Sequence, residues 1–231
     1  MTGRHPRRYG SRNRQIQGVG ATTRRFEAVS SSTLSDIMDD LGIPAVLAGI
    51  RAMTPNAKAV GPAMTVKEVS GTLGTYAQAD FRVAEIIDAA RPGDIVVVDN
   101  GGQQIATWGF LASFSSKIKG IAGVVVNGGS RDLREMAKIG FPVYARHVLP
   151  LSGKRRIKVE SVNVPISIEN VKIKPRDIIV GDETGIVVIP AEMSNQVLEQ
   201  AEKIERLERK YIPLLKSGVP FSTLVRKYSH L

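Results

Sequence analysis

The chain has no cysteine among its 231 residues, which excludes disulfides, thiolate metal sites and cysteine nucleophiles. Its three histidines, His5, His147 and His230, are scattered and show no ligand spacing. No apolar run approaches the roughly 18 residues that a membrane span requires. The start of the chain is charged and lacks the apolar stretch of a secretory signal, so a cytoplasmic protein with no membrane partner is the expectation. With 42% hydrophobic and 23% charged residues, the composition is that of an ordinary globular chain. Its length suits one domain with a sizeable core.

The formal net charge of +10 is unevenly placed. Residues 1–25 hold seven arginines (Arg4, Arg7, Arg8, Arg12, Arg14, Arg24 and Arg25) and no acid. The remainder carries 25 basic against 22 acidic residues and is nearly neutral. A Gly/Arg/Ser/Asn-rich leader of this kind is expected to be disordered. It offers nonspecific electrostatic contact with RNA or anionic surfaces. With one aromatic, Tyr9, it has little to stack on bases, so no other nucleic-acid role is expected.

From residue 26 onward, strand and helix patterns alternate, which argues for parallel pairing through βαβ units. Ser30–Leu41 reads as a capped helix with Leu34, Ile37, Met38 and Leu41 on one face. Strands are expected at 59–69, 95–98, 121–126 and 143–145, and helices at 77–90, 104–119 and 133–139. After Pro150 the pattern shifts to short strands at 156–162, 166–168, 178–180 and 185–189. A charged helix over 191–210 carries the stripe Val197, Leu198, Ala201, Ile204 and Leu207, and a short helix over 218–228 closes the chain.

Two Val-rich strands end in glycines, at Val98-Asp99-Asn100-Gly101-Gly102 and at Val126-Asn127-Gly128-Gly129-Ser130-Arg131-Asp132. Ligands in α/β sheets collect beyond such strand ends. Gly101 and Gly102 are read as opening a helix whose free N–H groups can bind a carboxylate. Arg131 can grip a planar carboxylate through two parallel hydrogen bonds, and Asp132 can hold a hard divalent cation. The same pair also suits a helix start capped by Asp132, with Arg131 in a surface ion pair. Asp99 can equally cap the next turn, and Glu135 can be a solvated helix charge. The Gly181-Asp182-Glu183 turn and the Lys154-Arg155-Arg156 run stay open between loop structure and contact with a ligand.

These segments, with Val60-Gly61-Pro62-Ala63-Met64-Thr65-Val66, Trp108-Gly109-Phe110-Leu111-Ala112, Gly140-Phe141-Pro142-Val143 and Gly185-Ile186-Val187-Val188, occur in a telling order. From about Thr33 to the C-terminus the chain resembles the family of 4-hydroxy-4-methyl-2-oxoglutarate aldolases and the regulator of ribonuclease activity A. Members are often labelled demethylmenaquinone methyltransferase-like, but no G-x-G-x-x-G nucleotide loop follows a strand here. The resemblance implies a single-domain α/β sandwich with a central mixed sheet over residues 26–231. It also implies a trimer or hexamer with sites between subunits.

It further implies a lyase that cleaves or decarboxylates a small pyruvate-derived keto acid through an enolate stabilised by Mg²⁺ or Mn²⁺. In that pattern Asp132 is the metal ligand, and Arg131 faces the enolate oxygen and carboxylate. Substrate also meets Gly109 and the amides of Leu111 and Ala112. Glu135 and Asp99 stand behind, supporting the metal's waters. One position departs: the family's aldolases carry an acid twenty-one residues before the arginine, where this chain has Phe110. Phenylalanine cannot move a proton, so Gln103, Gln104 or Asp99 would have to fill in. A non-catalytic regulator that binds a protein partner is the competing reading.

Overall fold

The computed structural model describes residues 22–227. Most of the Arg-rich leader and the end of the last expected helix at Tyr228 lie outside them. Residues 22–26 are already helical. Arg25 donates twice to Glu202 at 2.8 Å, and Phe26 is fully buried. The domain boundary drawn at residue 26 therefore falls within ordered chain.

In chain order the elements are α1 (Ser31–Asp40), β1 (Arg51–Ala52), β2 (Ala59–Ser70), α2 (Val83–Ala89), β3 (Ile95–Asp99), β4 (Ala106–Trp108) and α3 (Phe110–Lys119). There follow β5 (Gly123–Ser130), α4 (Leu133–Ile139), β6 (Val143–Val148), β7 (Ile157–Val162), β8 (Ile166–Ile168), β9 (Val171–Ile173), β10 (Ile178–Gly181), β11 (Ile186–Ile189), α5 (Ser194–Lys216) and α6 (Phe221–Lys227). Nine strands form one mixed sheet in the order β1-β6-β5-β3-β2-β10-β11, with β4 on β5 and β7 on β2. The βαβ reading holds for its centre, since β2, β3, β5 and β6 run parallel to one another. Both edges are antiparallel. The result is the mixed α/β architecture that the resemblance implied.

Strand β2 joins the parts. Its start pairs with β10, its middle with β3 and its end with β7. At Gly61 a Cβ would lie 2.2 Å from the Gly93 carbonyl oxygen, so only glycine lets the strand pass so close to the turn before β3. Strands β3 and β5 are buried along their whole length, which their unbroken Val character required. On one face Val96, Val98, Val124 and Val126 pack with Ile86 and Ile87 of α2, Met136 of α4 and Trp108. On the other face Ile95, Val97 and Val125 meet Ile166, Ile168, Val171 and Ile173 of the β8–β9 hairpin. A third cluster joins α1 and α5 to β10 and β11 through Leu34, Val180, Ile189 and Leu198. Each such side chain contributes roughly 1.5–3 kcal/mol through burial.

Three expectations are corrected. Residues 104–119 are not one helix: Ala106–Trp108 is a strand and the helix begins at Phe110. The expected helix over 77–90 shrinks to one 3₁₀ turn and Val83–Ala89. The charged helix starts with a 3₁₀ turn and runs on through Pro213 to Lys216. Its apolar stripe packs on α1 through Val197, Leu198 and Ala201, and Tyr211, beyond the last expected turn, is buried as well.

Candidate active site

Strand β3 stops at Asp99, while its neighbour β5 continues to Ser130. Strand β4 takes the place β3 vacates. The Gly129 N–H donates to the Ile105 carbonyl and the Arg131 N–H to the Trp108 carbonyl, both at 3.0 Å. On the far side of β4, the Ala106 N–H donates to the Leu151 carbonyl at 2.8 Å. Here tertiary pairing overrides the local helical pattern. Trp108 is buried in the helix-side core, and its indole N–H donates to Ser113 Oγ at 3.1 Å, tying β4 to the first turn of α3.

The chain thus leaves β4 at Gly109 and β5 at Arg131, side by side. Asp132 opens α4 but does not cap it: the residue sits in the left-handed region (φ 63°, ψ 34°) with no side-chain capping bond. Its carboxylate turns instead to the neighbouring helix, where Oδ2 accepts from the Phe110 N–H at 3.0 Å. Arg131 Nε lies 3.7 Å from the same oxygen. Left-handed Asp costs less than most residues there, yet such strain concentrates at functional sites. Gly109 fits against the pair: a Cβ on it would lie 2.6 Å from Asp132 Oδ2 and 3.2 Å from Arg131 Cγ.

The first intrahelical bond of α3 runs from Ser113 to Gly109, so the Leu111 and Ala112 amides have no acceptor within the helix. A guanidinium, a half-exposed carboxylate and the positive end of a helix therefore share one spot. Asp132 Oδ1 makes no hydrogen bond among the described residues. No cluster of three or more His, Asp or Glu gathers among them either. A single half-exposed carboxylate suits a hard divalent ion that keeps most of its waters. The site fits such an ion through Asp132 and would not fit a metal needing several protein ligands.

Other expected site residues are placed differently. Asp99 is nearly buried and engaged: Lys67 Nζ lies at 2.6 Å, and the Gly101 N–H and Asn127 Nδ2 donate to it at 2.9 Å. It holds the β2, β3 and β5 ends together rather than supporting Asp132, and it cannot substitute for a missing acid. Gly101 and Gly102 open no helix; they form a turn in which the Gly102 N–H donates to the Asn127 carbonyl at 3.1 Å. Phe110 packs on Phe114 with ring centres 5.9 Å apart. Gln103, Gln104 and Glu135 are exposed, Glu135 lying in the first turn of α4. Asp182 accepts from Ser31 N–H at 2.8 Å, Ser31 Oγ at 2.7 Å and Thr184 N–H at 2.9 Å. Burial opposes its ionisation, but those bonds and Lys58 hold its carboxyl below the usual value. Lys154 and Arg155 are exposed, in the segment beside β4; Arg156 there donates to the Ser152 carbonyl.

Sequence reading missed Glu68. It is 2% exposed, and its Oε2 accepts from Thr107 Oγ1 at 2.7 Å. Burial pushes its carboxyl up to about 8, the Thr107 bond opposes this, and the charge of Asp99 adds to it. A charged residue within the strand pattern of β2 was the available signal.

Residues 31–188 match the family model described as RraA-like, Aldolase/RraA. The chain belongs to the aldolase/RraA family. A Halalkalibacterium halodurans protein provisionally named a 4-hydroxy-4-methyl-2-oxoglutarate aldolase is 33% identical over 78% of this chain and 81% of its own length. Among solved structures, an uncharacterised Pseudomonas syringae protein aligns with a TM-score of 0.82 at 28% identity, covering 90% of this chain and 94% of the other. Streptomyces coelicolor RraAS2, described as an unusual member of the RNase ES inhibitor RraA family, aligns at 0.74 and 26% identity over 83% and 96%. Among the described residues, no helix is long and apolar enough to cross a membrane.

Proposed function

We propose that this family member is a divalent-metal-dependent lyase acting on a pyruvate-derived keto acid. The reaction is retro-aldol cleavage of a 4-hydroxy-4-methyl-2-oxoglutarate-type substrate, decarboxylation of an oxaloacetate-type acid, or both. The observation that carries the proposal is the convergence of Arg131, Asp132 and the free amides of α3. The names of the relatives support the reaction class.

Arg131 binds the substrate carboxylate through paired N–H donors, and the Leu111 and Ala112 amides add two more beside Gly109. Breaking the carbon–carbon bond leaves its electron pair on the pyruvyl fragment as an enolate. Arg131 faces that charge as it develops, which lowers the barrier in proportion to how dry the closed site is. Asp132 would hold Mg²⁺ or Mn²⁺, and Glu135 in the first turn of α4 would add negative charge beside it. When bound, the ion supplies Lewis-acid stabilisation of developing negative charge. Phe110 cannot carry a proton, so in retro-aldol cleavage the substrate hydroxyl gives its proton to water and the enolate carbon takes one back from water, leaving pyruvate and the carbonyl fragment. In decarboxylation carbon dioxide leaves and water supplies the same carbon-bound proton.

Exposed Leu111, Phe114 and Ile118 form a stripe along α3, with Val148 and Leu151 also exposed. A second copy of the chain covers such a face in a trimer or hexamer and narrows the site's opening to bulk water. The same stripe, with Phe110 in place of an acid, favours a second reading: a non-catalytic regulator that binds a protein partner. Pyruvate release from both substrate types, with Mg²⁺, Mn²⁺ or EDTA, separates the two. Metal-dependent turnover is expected; its absence on both acids in a folded oligomer overturns the lyase reading.

A further inference from the structure

Glu68 and its surroundings take no part in the chemistry above, yet they touch the element that builds the site. Beyond Asp99, the slot between the ends of β2 and β5 is filled by β4. Its Thr107 reaches across to Glu68 on β2 at 2.7 Å, and both side chains are buried. The next residue, Trp108, receives the Arg131 N–H at its carbonyl and bonds Ser113 of α3 through its indole. The next, Gly109, lies against Asp132, and the one after donates its N–H to the Asp132 carboxylate. Four consecutive residues thus link the Glu68 carboxyl to the arginine–aspartate pair.

We propose that Glu68 is a positioning residue: through Thr107 it fixes strand β4, and with it the Gly109–Phe110 step that orients Asp132. The part of this that concerns catalysis rests on the lyase reading; the anchoring of β4 does not.

The protonation state of Glu68 matters because no cation among the described residues pairs with it. Its second oxygen, Oε1, is buried without a hydrogen bond among the described residues. From β3 the facing charge is Asp99, whose sign opposes ionisation, and Lys67 is already paired with Asp99. From β7 the neighbour is Val159, whose carbonyl is bonded by Arg82. Strand β4 contributes the Thr107 hydroxyl. A neutral acid therefore fits the slot, and the anion does not. Ionisation tightens the Thr107 bond at Oε2 but draws water towards the unpartnered Oε1, which opens the packing around β4.

Trp108 is the single tryptophan of the chain, so its emission reports on β4 without any turnover. In the full-length protein without substrate or metal, wild type is expected to show a one-proton emission change with a midpoint near pH 8. Glu68→Gln, which mimics the neutral acid in shape, is expected to fold and to lack the transition. Thr107→Val removes the bond that favours the anion, so its midpoint is expected to move to higher pH. Where turnover is found, kcat falls through the same pH range in wild type and stays flat in Glu68→Gln, with KM little changed. A flat wild-type emission profile, an unchanged transition in Glu68→Gln, or failure of that variant to fold overturns the inference. A Glu68-dependent emission change in a protein that releases no pyruvate would sink the lyase reading and leave the β4 anchor standing.

Discussion

Gly109→Ala probes the site with one methyl group. The backbone at Gly109 is extended (φ −156°, ψ −168°), so alanine adopts it without strain. The new Cβ, however, would lie 2.6 Å from Asp132 Oδ2, where ordinary contact begins near 3.4 Å. The Phe110 N–H holds that oxygen from one side, and the Asp132 side chain is 41% exposed. The carboxylate therefore swings outward by about 0.8 Å, losing the Phe110 bond and its register with Arg131. Misplacement of a catalytic group by about 1 Å costs on the order of 100-fold in rate. Because the strain is relieved into solvent, stability should change by no more than about 1 kcal/mol. Pyruvate release measured beside thermal melting tests both halves. Activity within a few-fold of wild type would refute the placement of Asp132 at the reacting centre.

Other perturbations follow from the same geometry. Lys67→Met leaves the buried Asp99 carboxylate without its cation, and urea unfolding should show a loss of about 2–4 kcal/mol, tempered by the Gly101 and Asn127 donors. Asp182→Asn tests a carboxyl held below its ordinary value of 3.8. A depressed folded-state pKa gives stability that is present above the unfolded value and lost as pH falls through the folded one. The variant should therefore unfold at lower urea than wild type at pH 7, with the gap closing below about pH 4. Arg131→Lys keeps the charge but loses the paired donors, so KM for the keto acid should rise about tenfold or more. An unchanged KM would remove Arg131 from the carboxylate.

Much of this was legible because it is local. The valine runs of β3 and β5 admit only strands covered on both faces, and the Arg131–Asp132 step stands out by chemistry alone. What escaped is set by distant partners. Ala106-Thr107-Trp108 is extended because β5 outruns β3 and leaves a slot, a fact no three-residue window contains. Strand β9 is three residues long and exists by pairing with β8. Asp99 and Asp132 occupy equivalent places after Val-rich strands, yet one is locked among Lys67, Gly101 and Asn127 and the other faces solvent. Sequence spacing makes them look alike; only the register of β2 against β3 brings Lys67 beside the first. The left-handed backbone of Asp132 was likewise invisible, since the residue reads as an ordinary helix cap.

The central claim is that Asp132 holds a divalent cation beside Arg131. Its most direct measurement is Mn²⁺ binding followed by electron paramagnetic resonance, with and without oxalate as a planar dianion resembling the pyruvate enolate. The account predicts one Mn²⁺ site per chain, tightened by oxalate, lost in Asp132→Ala and deprived of the oxalate effect in Arg131→Ala. Equal Mn²⁺ binding by wild type and Asp132→Ala would contradict it.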